Sequence, residues 1–166
     1  MRIRKVEMEK DKEKEKIYRK ITSNKKAFYE YEIIDRLETG IMLTGTEVKS
    51  LRIGKCNLQD SYCRFTNKHN DDLFVLQMHI NPYEHGNIMN HEVRRDRKLL
   101  IHHHQAVKWR NAVNERGYTM VPIEIYFIGH LVKLEIALVK PKKKYEKRET
   151  IKKRDTDREL RRKMLR

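Results

Sequence analysis

Cysteine is scarce in this chain, and long hydrophobic runs are absent. The two cysteines, Cys56 and Cys63, match no CxxC zinc or redox spacing and are too few for a disulfide framework. We therefore expect buried thiols in a reducing, cytoplasmic setting. No stretch is apolar for long enough to span a bilayer, and the first ten residues contain no apolar run. We expect neither a signal peptide nor a membrane partner.

The sequence also lacks the residue patterns of common enzyme active sites. Its acidic residues are scattered, and no paired-carboxylate, Ser/His/Asp, Cys/His or phosphate-loop motif is found, so we expect no catalytic residues. A nuclease or hydrolase remains the alternative. The run His102-His103-His104 does not predict a metal site, because successive helical side chains point about 100° apart and do not converge on one ion. We expect neither a metal nor another cofactor.

Positive charge is abundant and lies at the two ends of the chain. The formal net charge of the 166 residues is +15. Residues 1–26 contain eleven basic and five acidic residues, and residues 140–166 contain fourteen and five, whereas residues 27–139 contain fourteen of each. Basic ends predict a polyanionic partner. The alternative is that the charge only maintains solubility, which needs a net charge of about 2–8.

The middle of the chain alternates apolar and polar residues in short runs, which is typical of half-buried strands. We expect a turn over 37–40 and a short helix that begins at Thr46 and stops at Gly54. A second helix is expected over 99–115, closed by Gly117. Strands are predicted over 28–35, 41–43, 58–66, 73–80, 119–127 and 131–139. The pattern predicts a mainly β fold: a small closed antiparallel barrel, OB-like, with two or three short helices.

Three segments follow from this pattern. Residues 1–23 form a charged N-terminal extension that we expect to be disordered, because it has little apolar surface to bury. Residues 24–140 form the β-barrel domain. Residues 141–166 form a basic C-terminal tail whose acid–base pairs four residues apart favour a helix only weakly, so we expect it to be disordered by itself.

Short motifs along residues 24–150 closely resemble the SsrA-binding protein family, SmpB. They have the family's order and compatible spacing: 45–52, Gly54, 60–62, 79–83, 90–91, Arg95, 97–100, 117–119, 121–122, Tyr126 and 142–148. Pro141 and Glu146 depart from the family pattern, where Gly and Asp are usual.

The resemblance implies a non-enzymatic partner of transfer-messenger RNA (tmRNA, also called SsrA). Proteins of this family bind the tRNA-like domain of tmRNA and deliver it to stalled ribosomes in trans-translation, which rescues the ribosome and tags the incomplete polypeptide. Their C-terminal tail enters the decoding site of the small subunit, against ribosomal RNA. The implied fold is a β-barrel with an OB-like core and flanking helices. We expect the tail to become helical when it binds the ribosome.

The resemblance also implies site residues. Asn24, Glu38 and Leu100 match family residues tied to RNA binding; an amide and a carboxylate can bond base edges or 2′-hydroxyls. The alternatives are a carboxylate that satisfies its own turn and a leucine in the core. Basic residues are expected to form a phosphate-contacting surface: Lys49, Arg52, Arg95, Arg97, Lys98 and Lys133. For the decoding-site tail we expect Lys142, Lys143, Tyr145, Glu146, Lys147 and Arg148.

The residues by themselves are also compatible with one other binding function. A generic OB-type module that binds single-stranded nucleic acid would have the same strands and the same basic ends. Such a module tolerates most sequences, whereas a tmRNA partner prefers a tRNA-like fold. Competition between folded and single-stranded RNA distinguishes the two.

Overall fold

A computed structural model describes residues 18–66, 72–86, 88, 90–143, 145, 156, 160, 162 and 164. Within this described part the chain forms nine strands and three helices. The strands are β1 (Tyr18–Ser23), β2 (Tyr31–Ile41), β3 (Cys56–Asn57), β4 (Tyr62–Phe65), β5 (Leu73–Leu76), β6 (His79–Ile80), β7 (Arg97–Leu100), β8 (Thr119–Ile128) and β9 (Leu131–Pro141). The helices are α1 (Lys25–Glu30), α2 (Gly45–Arg52) and α3 (His103–Arg116).

Seven of these strands belong to one antiparallel sheet whose pairings form a ring. The order is β1-β8-β4-β5-β7-β2-β9, and β9 also pairs with β8. The hairpin of β8 and β9 pairs from Ile128 opposite Leu131 to Thr119 opposite Val139. Strand β2 pairs with β9 over a similar length, from Tyr31 opposite Pro141 to Gly40 opposite Lys133. Two strands pair with the same edge of β8: β4 pairs near Met120, and β1 pairs near Ile128 at the other end of β8. The mainly β fold is thus confirmed.

The core lies inside this ring and beneath α3. Residues of β5, β7, β8 and β9 supply most of it, and Trp109 packs into it from α3. A second, smaller cluster joins Ala27 of α1 to Val121, Ile123, Ala137 and Val139 of the hairpin. Both faces of β8 and β9 are therefore covered over much of their length, which explains why these strands are almost continuously apolar. No helix within the described residues is long and apolar enough to cross a membrane.

The predicted boundary at residue 23 is wrong for the last residues of the N-terminal extension. Residues 18–23 form β1, which hydrogen-bonds to β8. Ile21 packs against the core, and Tyr18 and Lys20 both bond Glu124 of β8, so side-chain contacts and strand pairing together order this basic segment. Residues 1–17 of the predicted extension lie outside the described residues.

The predicted turn over 37–40 is also wrong, because β2 runs unbroken from Tyr31 to Ile41. Leu37 and Thr39 are buried on one face, and the Thr39 hydroxyl donates to the Leu134 carbonyl at 2.8 Å. A register shift between Ile33 and Asp35 curves the strand instead. Gly40 is needed for a close approach, since a Cβ there would lie 3.1 Å from the Cβ of Leu100.

Two helix starts differ from their predictions. Helix α2 begins at Gly45, with Thr44 at the N-cap position instead of Thr46. Helix α3 begins at His103, not at Leu99, because residues 97–100 pair with β5 and β2 as strand β7. Arg97 and Leu99 are both buried there, which is the two-residue period of a strand. The predicted end of this helix is confirmed, since Gly117 closes α3.

The end of α3 gives a test of backbone strain. Gly117 has a φ of +64°, so Gly117→Ala is expected to destabilise the fold by about 1–2 kcal/mol. A Cβ there meets nothing within 4 Å, so the cost is strain and not a clash. Gly45→Ala is the matched control, because Gly45 begins a helix in open space and is expected to be neutral or slightly stabilising. Urea unfolding measures both, and equal destabilisation would contradict the argument.

Candidate nucleic-acid interface

A groove of about 730 Å³ opens where β2, β7 and the β8–β9 hairpin meet the starts of α2 and α3. Its floor and walls are mostly apolar, and they include Leu37, Ile41, Leu43, Val48, Ile101, Leu131 and Val132. Polar groups line it as well: Glu38, His102, Gln105, His130 and Lys133. An apolar groove with a few converging polar groups is the usual form of a binding site.

Three of the predicted site residues meet in this groove: Glu38, Leu100 and Lys133. The side chain of Glu38 is 46% exposed, and its Oε1 lies 3.2 Å from the ammonium of Lys133. Its Oε2 accepts a hydrogen bond from the hydroxyl of Tyr126. The carboxylate therefore has fixed partners, and it does not merely satisfy a turn of its own.

Glu38 is held in its ionised form. The hydrogen bond from Tyr126 holds the pKa of Glu38 below its usual value, and Lys133 acts in the same direction against the opposing effect of burial. Burial raises the pKa of Tyr126, and its bond to Glu38 raises it further, so the phenol stays protonated and acts as the donor. A charged acceptor with fixed partners is suited to amino or imino donors on a base edge.

Leu100 is not a core residue, since it is 52% exposed at the edge of the groove. It lies directly opposite Gly40 of β2, and the missing side chain there leaves room for it. An exposed apolar side chain beside a fixed carboxylate suits a flat apolar face such as that of an unstacked base.

Arg97 does not belong to a phosphate-contacting surface, because its side chain is fully buried. Its Nε donates to Glu47 Oε1 at 2.7 Å, and its Nη1 donates to the Met78 carbonyl at 2.7 Å. Arg95 also binds Glu47, through Nε at 2.8 Å and Nη2 at 2.6 Å, and its side chain is 29% exposed. The prediction for Arg97 is thus corrected, and Arg95 is largely committed to the same carboxylate.

Glu47 is the centre of this buried cluster. The backbone N–H of Thr44 donates to its Oε2 at 2.7 Å. Burial opposes its ionisation, but hydrogen bonds from Arg95 and Thr44 and the charge of Arg97 hold the pKa of Glu47 below its usual value. Beside the cluster, His91 bonds the Thr46 hydroxyl at 3.0 Å and the Ile80 carbonyl at 3.2 Å, which ties the 81–96 loop to α2.

The other predicted cations lie outside the groove lining. Lys98 forms an ion pair with Asp72 at 2.5 Å. Lys49 is exposed on α2, with its ammonium 5.4 Å from the ring centre of Tyr83. Arg52 is exposed at the end of the same helix, and its carbonyl accepts a bond from Arg19 at 3.0 Å. Lys49 and Arg52 therefore share α2, as predicted, but the groove does not join them to Lys133.

Asn24 is buried, and its side chain is used inside the protein. Its Oδ1 accepts from the backbone N–H of Ala27 at 3.1 Å, which caps α1. Its Nδ2 donates to the carbonyls of Leu58 at 3.0 Å and Pro122 at 3.3 Å. The predicted contact between this amide and RNA is not available in this conformation. Asn24 instead joins α1 to β8 and to the segment before β4.

The predicted tail begins later than residue 141. Pro141 pairs with Tyr31, and Lys142 donates to the Glu30 carbonyl through its backbone N–H and to the Phe28 carbonyl through Nζ, both at 3.0 Å. Lys142 is therefore part of the folded domain, and Lys143 is exposed beyond it. Beyond Lys143 the described residues Tyr145, Thr156, Leu160, Arg162 and Met164 are helical, and the disorder of the free tail stays a prediction. Glu146, Lys147 and Arg148 lie outside the described residues.

Sequence reasoning missed Tyr126 and Glu47. Tyr126 was matched only as a motif residue, although its place in β8 opposite Lys133 brings its hydroxyl to Glu38. Glu47 lies within the 45–52 motif, but its bonds to Arg95 and Arg97 cross 48 and 50 residues of chain. Such long-range pairs leave no local pattern. Among the described residues no group of three or more His, Cys, Asp or Glu side chains is arranged to hold a metal ion.

The buried cluster gives a stability prediction. Arg97→Met leaves part of the Glu47 charge uncompensated, which is expected to cost about 3–5 kcal/mol. Lys108→Met is the control, because Lys108 pairs with Asp35 at 2.9 Å on the surface and should cost about 1 kcal/mol or less. Because the folded pKa of Glu47 is lowered, its contribution is present above the ordinary glutamate pKa and is lost as pH falls through the folded value. Urea unfolding at neutral and acidic pH measures both effects, and equal losses in the two variants would contradict the buried role.

The chain is similar to known proteins of one family. The family model described as SmpB protein matches residues 21–166. The SsrA-binding protein of Caldicellulosiruptor bescii is 46% identical over 154 residues, which cover 93% of this chain and 96% of the relative. The SsrA-binding protein of Caldanaerobacter subterraneus subsp. tengcongensis is 48% identical over 153 residues, or 92% and 93% of the two chains. A solved chain described as "tmRNA-SmpB: a journey to the center of the bacterial ribosome" has 40% identity and a TM-score of 0.62, and the match covers 74% of this chain and 85% of that one. This chain therefore belongs to the SmpB family.

Proposed function

We propose that this protein binds the tRNA-like domain of tmRNA through the groove and delivers it to stalled ribosomes for trans-translation. The observation that carries the proposal is the meeting of Glu38, Leu100 and Lys133 in one groove of a chain that belongs to the SmpB family. Its relatives are named for binding SsrA, and the similar solved chain is described with tmRNA and the ribosome. In this role the protein is a cytoplasmic adaptor and catalyses no reaction.

The groove and the charged ends have separate tasks in this proposal. The groove presents one ionised acceptor, one cation and an apolar edge, which can discriminate among base edges. The excess positive charge lies mainly at the ends of the chain, where it attracts phosphates without sequence preference. The C-terminal segment, with Tyr145, Lys147 and Arg148, would contact small-subunit ribosomal RNA at the decoding site. As part of the same proposal, the ring of six paired strands is a closed, OB-like barrel that keeps the groove rigid.

The groove assignment predicts a selective loss of RNA affinity. Glu38→Gln removes the charge that strengthens its hydrogen bonds, so affinity for the isolated tRNA-like domain is expected to fall about 10-fold. Glu32→Gln is the matched control, since Glu32 is exposed on the same strand but does not line the groove. Fluorescence anisotropy with competing bulk tRNA and single-stranded RNA measures affinity and preference. Equal binding of all three RNAs by the wild type would favour a generic single-strand binder.

Truncation tests the division of tasks. The cut belongs after Lys143 because Pro141 and Lys142 are bonded to the domain. The shortened protein is expected to keep its affinity for the tRNA-like domain to within about 3-fold, and to lose tagging of polypeptides on stalled ribosomes in a reconstituted translation system. The full-length chain is the control in both assays. A truncated protein that still supports tagging, or one that no longer binds the RNA, would contradict the division.

A further inference from the structure

A chain of side-chain contacts leads from the groove to the N-terminal strand. Tyr126, on β8, is 8% exposed and donates to Glu38 across β9. Its ring packs on the ring of Tyr18 from β1, with 4.9 Å between the ring centres and 42° between the planes. Tyr18 in turn donates to Glu124, which also pairs with Lys20 at 2.6 Å. Side chains of β8 and β1 thus form a continuous series of contacts that ends at the Glu38 carboxylate.

These contacts hold both oxygens of the Glu38 carboxylate without using all their acceptor sites. Tyr126 occupies a site on Oε2, and Lys133 lies against Oε1. A carboxylate has about four lone-pair sites, so sites remain for a ligand on the exposed side. A free glutamate loses up to about 2 kcal/mol of side-chain entropy when it is fixed. Fixing it in advance lowers the entropic cost of binding.

We propose that Tyr126 is a positioning residue that orients the Glu38 carboxylate for hydrogen bonds to amino or imino groups of an RNA base, and that the ring of Tyr18 keeps Tyr126 in place. The inference rests on the proposed function, which it deepens. Neither tyrosine needs to touch RNA. The family model matches residues 21–166, and Tyr18 precedes them. The ring that supports Tyr126 therefore comes from outside the matched region.

The hydroxyl of Tyr126 also favours the ionised form of Glu38, since its hydrogen bond is the largest influence that lowers the pKa of this group. The other charged and titratable groups around the pair come from every neighbouring strand and from the groove: Tyr18, Lys20, Arg36, His102, Glu124, His130, Lys133 and Glu135. Of these, Lys133 favours the ionised form of Glu38. Replacing Tyr126 by Phe removes the hydroxyl and leaves these groups and the ring in place.

A double-mutant cycle on the full chain isolates the positioning effect. Tyr126→Phe is expected to weaken binding of the isolated tRNA-like domain about 3- to 10-fold, because one hydrogen bond to a charged group is lost. In a Glu38→Gln background the same change is expected to have almost no effect, since the carboxylate that it positions is gone. Tyr62→Phe is the control, as Tyr62 is an exposed tyrosine on β4 outside the groove. Equal losses in both backgrounds would overturn the positioning role.

A pH profile adds a readout that loss of packing would not change. In the wild type, affinity that depends on ionised Glu38 persists as pH falls until the lowered pKa of Glu38 is reached. In Tyr126→Phe that pKa rises towards its ordinary value, so affinity is expected to begin falling at a higher pH. A ¹³C NMR titration of the Glu38 carboxyl in the free protein follows the same shift without RNA. Superimposable titrations of wild type and variant would overturn the proposal.

The support from Tyr18 is tested by a pair of substitutions. Tyr18→Ala removes the ring and is expected to lower RNA affinity about 3-fold through Glu38, whereas Tyr18→Phe keeps the ring and is expected to lower it less. Equal affinities for the two variants would overturn the role of Tyr18. A selective wild type whose affinity is unchanged by Tyr126→Phe would overturn the inference alone. A wild type without preference for the tRNA-like domain would overturn the proposed function together with the inference.

Discussion

The burial of Glu47 is the constraint on which this end of the molecule depends. A carboxylate without solvent contact costs several kcal/mol unless it is fully bonded, and here Thr44, Arg95 and Arg97 supply the donors. Arg97 also donates to the carbonyl of Met78, between β5 and β6, and to those of Val93 and Arg95, in the loop before β7. One charge therefore fixes α2, β7 and the connecting loop relative to one another. None of these elements can move without leaving a buried ion unpaired.

The burial of Arg97 beside Glu47 also determines which residues of β7 line the groove. Successive side chains of β7 point to opposite faces, so burying Arg97 and Leu99 directs Lys98 and Leu100 outwards. Leu100 thereby reaches the groove edge opposite Gly40, and Val48 of α2 lines the same groove. A buried residue outside the groove thus determines where the groove-lining residues lie. This also explains how a family motif can contain buried and exposed residues side by side.

The sequence predicted most of the strands, including β8 and β9, because short apolar runs are a local signal. It did not separate β7 from α3, since Leu99, Leu100 and Ile101 fit a helical period and a strand period equally well. It placed a turn at 37–40 because Gly40 usually marks one, whereas here the glycine admits Leu100. For the site, the resemblance pointed to Glu38 and Leu100, and the expected phosphate-contacting surface included Lys133; the structure brings these three into one groove. Residue type could not show that Asn24 and Arg97 are buried. Burial is a property of the assembled sheet, and no local pattern of charge encodes it.

Under the proposed function, the paired charges of Glu38 and Lys133 affect how the groove selects among RNAs. Among the described residues that line it, Lys133 is the only lysine or arginine, and it faces Glu38. A cation already neutralised by a carboxylate attracts phosphates weakly, so under the proposed function the groove contributes little to salt-dependent affinity. For the tRNA-like domain that affinity has to come from the basic N-terminal end and from exposed cations such as Lys49 and Arg52, whereas the basic C-terminal end acts on ribosomal RNA. The groove can then reject an RNA that offers only a backbone, because Glu38 repels phosphate and accepts only donors. Selection and attraction are thus assigned to different parts of one small chain.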